Sequence, residues 1–515
     1  MTKWPFAPSP GSGRYVAAVL AASLVPLALA PFPPLQDLPD WAFQARIWND
    51  IGRDASGLAA HYEIVGLPVP NSVVTIAMAY LARCVGYVWA AKSLAMFTAI
   101  FFALAFVRFV RASRRDYAPG VELLGAFFAV GHFFWMGFLN FQLGLAVAFC
   151  VLADVLNGRG APIPHRAART AIGLVACWFC HFLAFAALLV ALAGLVFDRH
   201  RFRPGAYARL ALAALPSLAL LVWYASARAG DFFVGYRYAN PVKWLWYKIG
   251  PFAVATGFYP VTSPGTQWVV AAINVLATLA LGAIVLVALV RLVRDRSPLR
   301  FAVLALIAVG LVAPTRFFEV IRPGERWLFF GVLLVLAAAP GFDLSPRWTR
   351  RTAMALVVVS LLSGVQALGA GFAIRRYVEG IERAVPPGAT MLVVSDSHFH
   401  FREERPWAEK ARDPYSWPNW VSALKFAPNW NRVRSGGYAP ELFPSGLVRP
   451  RPRDLPPLGG LSGLGEAAAT APYDAIVASG IAPNLRAIES AARANFAAGA
   501  RGRNFVVLTR ANRSP

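Results

Sequence analysis

The chain has 515 residues, of which 57% are hydrophobic and only 15% charged, at a mean hydropathy of +0.52. A soluble globular chain carries roughly 25% charge, so this composition excludes an ordinary water-solvated fold. The formal charge of +24, from 50 Lys and Arg against 26 Asp and Glu, invites nucleic-acid binding. The arginines, however, sit in short clusters between apolar runs, the pattern of the positive-inside rule, and that excludes nucleic acid as the reason for the charge.

Tyr15–Pro31 is a retained first span. It is longer than the apolar part of a cleaved signal, and Pro31 follows the small residues where cleavage would fall. A polar stretch, 33–70, comes next and holds Asp37, Asp40, Asp50, Asp54 and Glu63, an acidic balance that suits a first external loop. Further apolar segments are expected near 71–87, 90–107, 119–136, 139–156, 170–197, 206–225, 267–290, 299–313, 327–341 and 352–372. About 20 apolar residues cross a bilayer, and 170–197 is long enough for one tilted helix or two broken near Cys180-His181. Basic clusters at Arg108–Arg115, Arg159–Arg169, Arg199–Arg203, Arg291–Arg300 and Arg347–Arg351 mark the cytoplasmic side. Alternation from the last cluster back to Arg108 is consistent if 170–197 crosses twice. It then conflicts with an external 33–70 loop, so one element near 71–107 or 170–197 must be re-entrant or break the charge rule. The expectation is an α-helical polytopic membrane protein of about 11–13 transmembrane helices, covering 1–373.

The tail, 374–515, is expected to be a small α/β domain outside the cytoplasm. Strand-like runs lie at Thr390–Val394, Ala475–Ala478 and Phe505–Thr509, with helix-like stretches at Arg375–Ala384 and Leu485–Ala498. Arg449–Gly465 reads as a Pro/Gly-rich connector. The four cysteines, Cys84, Cys150, Cys177 and Cys180, all fall in apolar runs and make no disulfide framework.

Asp37-Leu38-Pro39-Asp40 is the first place where chemistry is legible. Two carboxylates three residues apart, on a Pro-braced turn just outside the bilayer, suit a general base at the interface; a solvated turn is the plain alternative. Arg316, Arg322 and Arg326 lie in a short external turn beside Glu319 and Glu325, where the positive-inside rule does not place cations. Phosphate binding would explain them, as would pairing with the two glutamates. His132 and His181 sit within or at the edge of apolar runs, where polar groups are costly, though a helix-to-helix hydrogen bond also accounts for them. The aromatic stretch Tyr236–Tyr259 reads as an interfacial helix.

Three other patterns carry little. Cys177-Trp178-Phe179-Cys180-His181 matches a haem-attachment spacing but lies within an apolar run. Gly460–Gly465 follows no strand and does not fit a dinucleotide fingerprint. Asp396, His398 and His400 would share one face of an extended chain, yet solvated loop residues explain them as well as a metal does. No cofactor is expected, and a divalent metal has no support.

Pro33-Pro34-Leu35-Gln36-Asp37-Leu38-Pro39-Asp40 after a first span, with Arg46 a little later, resembles the opening of the GT-C membrane glycosyltransferases. So do Pro68-Val69-Pro70-Asn71, the Gly137-Phe138-Leu139-Asn140-Phe141 join, and His181 leading a span. That superfamily includes protein O-mannosyltransferases and bacterial aminoarabinose transferases. The resemblance implies an inner-membrane enzyme that moves a sugar from a polyprenyl-phosphate donor to a glycan, lipid or protein acceptor on the external side. It makes Asp37 or Asp40 the base and Arg326, with Arg322 or Arg316, the contact to donor phosphate. Arg46, His181, Asn140 and Glu319 become candidate substrate contacts. Many relatives carry an Asp-Glu or Glu-first pair where this chain has Asp37 and Asp40. The competing readings are a transporter or flippase of a lipid-linked precursor and a non-catalytic membrane assembly protein.

Overall fold

The computed structural model describes residues 12–53, 57–66, 68–114, 119–158, 163–227, 234–235, 248, 266–314, 316–317, 320–321, 323–341, 344–395, 423–438, 447–451, 461–470, 473–480 and 482–511. In chain order the first helices are α1 (Gly13–Leu29), α2 (Leu38–Asp50), α3 (Val73–Val85), α4 (Tyr87–Ser113), α5 (Pro119–Ala129), α6 (His132–Trp135) and α7 (Leu139–Asn157). They are followed by α8 (Ile163–Cys180), α9 (Phe182–His200), α10 (Pro204–Ala227), α11 (Thr266–Arg294), α12 (Arg300–Val312), α13 (Pro323–Ala338) and α14 (Pro346–Ala384). The short strands β1 (Tyr62–Ile64), β2 (Val234–Gly235), β3 (Arg316–Phe317) and β4 (Val320–Ile321) lie in the connections. The tail adds β5 (Met391–Ser395), α15 (Pro428–Ser435), β6 (Val448–Pro450), α16 (Leu461–Thr470), β7 (Ala475–Ser479), α17 (Ala482–Ala492), β8 (Phe496–Gly502) and β9 (Phe505–Arg510).

The chain is therefore mostly helical, and among the described residues five helices are long and apolar enough to cross a membrane: α4, α7, α9, α10 and α14. Polar contacts sort the helix ends into two groups. At a basic end, the Arg111 side chain donates to Glu122 at 2.9 Å, and Ser12, just before α1, bonds the same carboxylate. Arg108 pairs with Asp154 across α4 and α7. Arg300 pairs with Asp198 at 2.8 Å, and Arg114 donates to the Ala337 carbonyl at 2.6 Å. At the opposite end, Lys92 donates to the Ala28 carbonyl at 3.0 Å, and Asn140 ties α7 to Asn71 at 2.9 Å.

Those contacts resolve the conflict in the charge bookkeeping. The segment expected near 71–87 does not traverse the bundle. Its helix, α3, spans 13 residues, about 20 Å at 1.5 Å per residue, too short for a hydrocarbon core. Both of its ends belong to the same end of the bundle. The Val74 N–H donates to Asn140 at 3.1 Å, while Asn49 of α2 holds the Ala79 carbonyl and the Tyr87 hydroxyl at 2.9 and 3.2 Å. The stretch 170–197 breaks at Cys180-His181, where His181 is extended (φ −164°, ψ 125°) between α8 and α9, giving two antiparallel helices.

Helix α1 packs along α14 through glycines. A Cβ at Gly364 would stand 2.7 Å from the Ala22 carbonyl, and one at Gly371 2.7 Å from that of Phe32; small residues let helices approach this closely in lipid. Helix α14 has 39 residues, roughly 58 Å, so it outruns any bilayer core. The expected separate helix Arg375–Ala384 is its last part, running unbroken through the boundary at 373/374. There Tyr377 stacks on Phe505 with ring centroids 4.5 Å apart, joining the bundle to the tail.

The tail carries a four-stranded sheet in the order β5-β7-β9-β8, parallel between β5 and β7 and antiparallel elsewhere. The three expected strands form; the expected helix Leu485–Ala498 does not hold to its end. It stops at Ala492, and Phe496-Ala497-Ala498 pairs with β9 instead. Alanines favour helix intrinsically, but a neighbouring strand edge overrides a preference worth tenths of a kcal/mol. Gly460 and much of the connector lie outside the described residues, while Leu461–Gly465 begins α16.

Candidate active site at the end opposite the basic clusters

Asp37 is positioned by backbone before its side chain matters. After α1 ends, the chain runs alongside the α6 turn in the same direction: the Gln36 N–H donates to the Trp135 carbonyl at 3.0 Å and the Asp37 N–H to that of Met136 at 3.1 Å. Gly137 makes this possible. Its φ is +79°, and a Cβ there would stand 2.8 Å from the Asp37 nitrogen, so both conformation and space call for glycine. The Asp-Leu-Pro-Asp stretch is not a loop: Asp37 is the N-cap residue of α2 and Asp40 lies in its first turn.

Asp37 makes no capping bond with its side chain. Its carboxylate accepts from Gln36 Nε2 at 3.2 Å, and the residue is only 3% exposed. Burial pushes its pKa up to about 7, against the opposing pull of Lys425, the Gln36 hydrogen bond and Arg326. A carboxyl poised there exchanges a proton at neutral pH, as a general base must.

Arg326 enters from the first turn of α13 and is nearly buried. Its guanidinium carbon lies 4.3 Å from the centroid of the Phe138 ring and 5.8 Å from that of Phe141, so it stacks on the residue that follows Gly137. Its Nη1 is 3.1 Å from His181 Nε2. The other ring nitrogen, Nδ1, accepts the Leu183 N–H at 3.0 Å and caps α9. Two donors thus face an imidazole that has one lone pair when neutral. His181 is a neighbour of Arg326 that supplies no counter-charge.

The other candidates separate by what they touch. Asp40 is fully buried; its two oxygens accept from Gln44 at 3.2 Å and from Asn429 of α15 at 3.0 Å. Arg46 pairs with Asp50 at 3.4 Å and donates to the Arg432 and Val433 carbonyls at 2.9 and 2.7 Å. Both residues clasp the tail onto α2. Asn140 braces Asn71 and α3, and His132 is buried against Phe133. Arg316 sits on β3, which pairs with β2 and β4. The Arg316 side chain, Arg322, Glu319, the stretch 396–422 with His398 and His400, and most of Tyr236–Tyr259 lie outside the described residues.

Two residues near the site were given no role by the sequence: Lys425, and Lys248 within the aromatic stretch Tyr236–Tyr259. Lys425, from the tail, is the larger of the two cationic influences on Asp37; no motif surrounds it, and only folding brings it near. Lys248 donates to the Gly310 and Ala313 carbonyls at 2.8 and 3.0 Å, with Glu325 close enough to oppose the fall of its pKa to about 8. It ties the C-terminal end of α12 to the turn that launches Arg326. Among the described residues no group of three or more His, Cys, Asp or Glu is arranged to hold a metal. Compared with known proteins, the chain matches no family model and no curated sequence.

Proposed function

We propose that this chain is an integral membrane glycosyltransferase that moves a sugar from a polyprenyl-phosphate donor to an acceptor hydroxyl. The observation that carries it is the pairing of a neutral-range carboxyl, Asp37, with two cations, Arg326 and Lys425, at one end of the bundle. This extends the resemblance to GT-C enzymes, with Asp37 rather than Asp40 as the base, because both Asp40 oxygens are engaged in holding α2 and α15.

Five helices among the described residues are long and apolar enough to cross a membrane, and shorter apolar helices such as α1 and α12 would complete further crossings with their flanking residues. The positive-inside rule puts the basic end in the cytoplasm of a bacterial-type inner membrane, and Asp37, Arg326 and the tail outside it. In the reaction, Asp37 takes the proton of the acceptor hydroxyl. The acceptor oxygen attacks the anomeric carbon, the bond from that carbon to the phosphate oxygen breaks, and its electron pair leaves with the lipid phosphate. Arg326 and Lys425 offset the charge that gathers there, the place where fixed cations lower a barrier most. A single displacement inverts the anomeric centre.

The test is sugar transfer from a labelled polyprenyl-phosphate donor in proteoliposomes. Arg326→Gln is expected to lower kcat by on the order of 100-fold, and Asp37→Asn at least as much. Full activity in folded Asp37→Asn protein would overturn the assignment of the base.

A further inference from the structure

A cavity lies toward the other end of the bundle from Asp37. Its volume is about 450 Å³, and it opens at the basic end, between the C-terminal halves of α7 and α9 and the N-terminal halves of α8 and α10. Along α7, its lining residues Val151, Asp154 and Val155 lie 11 to 15 residues from Asn140, about 16–22 Å, which sets it apart from the Asp37 site.

Its chemistry is divided. Arg166, Arg169, Arg199 and Arg209 line it, and among its described lining residues the one acid is Asp154, which also pairs with Arg108. The remaining wall is largely aliphatic, with Val151, Leu195 and Leu210 contributing. Leu212 both lines the cavity and is 68% exposed. It sits on α10, whose apolar window is only 17% buried, so the cavity opens sideways onto a face that only lipid would solvate.

We infer that this cavity binds an anionic phospholipid of the cytoplasmic leaflet, its phosphate held by the arginines and an acyl chain laid on the aliphatic wall. Guanidinium groups bind phosphate oxygens bidentately, basic pockets between membrane helices suit anionic headgroups, and the volume falls within the usual range for a ligand cavity. A free anion would satisfy the arginines but leave the aliphatic wall and its lateral opening without purpose. The inference needs only membrane insertion, not sugar transfer.

The experiment uses the full chain in detergent micelles and measures retention of phosphatidylglycerol against phosphatidylcholine by native mass spectrometry. Phosphatidylglycerol is expected to be retained selectively. Arg166→Gln with Arg199→Gln should weaken it by on the order of tenfold, while Arg347→Gln with Arg350→Gln, exposed at the same end on α14 and outside the cavity, should not. Thermal unfolding of each double variant shows that it is folded, and the charge-preserving Arg166→Lys with Arg199→Lys should retain most of the binding. Equal loss in both glutamine pairs would reduce the effect to diffuse surface charge and overturn the site. Displacement by millimolar inorganic phosphate, or equal retention of phosphatidylcholine, would overturn the lipid.

Discussion

His181 Nε2 stands 3.1 Å from Arg326 Nη1 while its Nδ1 caps α9, so one imidazole fixes both the start of a helix and the aim of a buried cation. Under the proposed function this makes His181 a positioning residue. His181→Leu is expected to raise KM for the polyprenyl-phosphate donor severalfold, with a smaller change in kcat. His181→Gln, whose amide oxygen offers the guanidinium an acceptor, should recover part of the loss. A purely structural histidine would lower the amount of folded protein in both variants and leave KM unchanged.

Under the proposed function, Asp37 would link catalysis to stability with opposite signs. Its folded pKa of about 7 stands above the ordinary 3.8, so its contribution is fully present below about pH 4 and is lost as pH rises through 7. The change is up to roughly 4 kcal/mol. Asp37→Asn removes that loss. The variant is expected to be inactive in sugar transfer yet to unfold at a higher temperature than the wild type at pH 8, the difference shrinking toward pH 4. Thermal scans at the two pH values check it.

Lys425 pulls the same pKa down. Lys425→Gln should therefore move the acidic limb of the kcat/KM profile to higher pH, by on the order of half a unit. An unmoved limb with reduced activity would make Lys425 a phosphate contact with no hold on the base.

Gly137→Ala tests the close approach behind Asp37. A positive φ costs a non-glycine residue about 1 kcal/mol or more, and the added methyl would have to displace the Asp37 backbone 2.8 Å away. Destabilisation of about 1–3 kcal/mol with a fall in kcat is expected, measured by unfolding and by transfer rate. A stable, fully active variant would show that Asp37 does not depend on the α6 turn.

Asn429→Ala separates the two aspartates. It removes the donor that α15 offers to Asp40, and should loosen the tail from α2, seen as faster limited proteolysis between 385 and 435. The acidic limb governed by Asp37 should stay in place. A shift of that limb in this variant would give Asp40 a share in the titration.

The sequence by itself determined the broad outline. Apolar runs and arginine clusters fixed most helices and their alternation, because hydrophobic length and charge are local properties that a bilayer reads directly. It marked Arg326 and His181 as out of place for their surroundings and Asp37 as a candidate base, and it required one element to fail the alternation without saying which. Tertiary structure decided the rest. Only the bonds from Asn140 and Asn49 keep α3 at one end, and only the packing of α15 on α2 turns Asp40 and Arg46 from candidate site residues into clasps. Lys425 beside Asp37, and the arginines gathered around one cavity at the other end, unite parts of the chain far apart in sequence. Local periodicity encodes which stretches are helical and apolar. The electrostatic surroundings of a buried group depend on which distant segments exclude water from it.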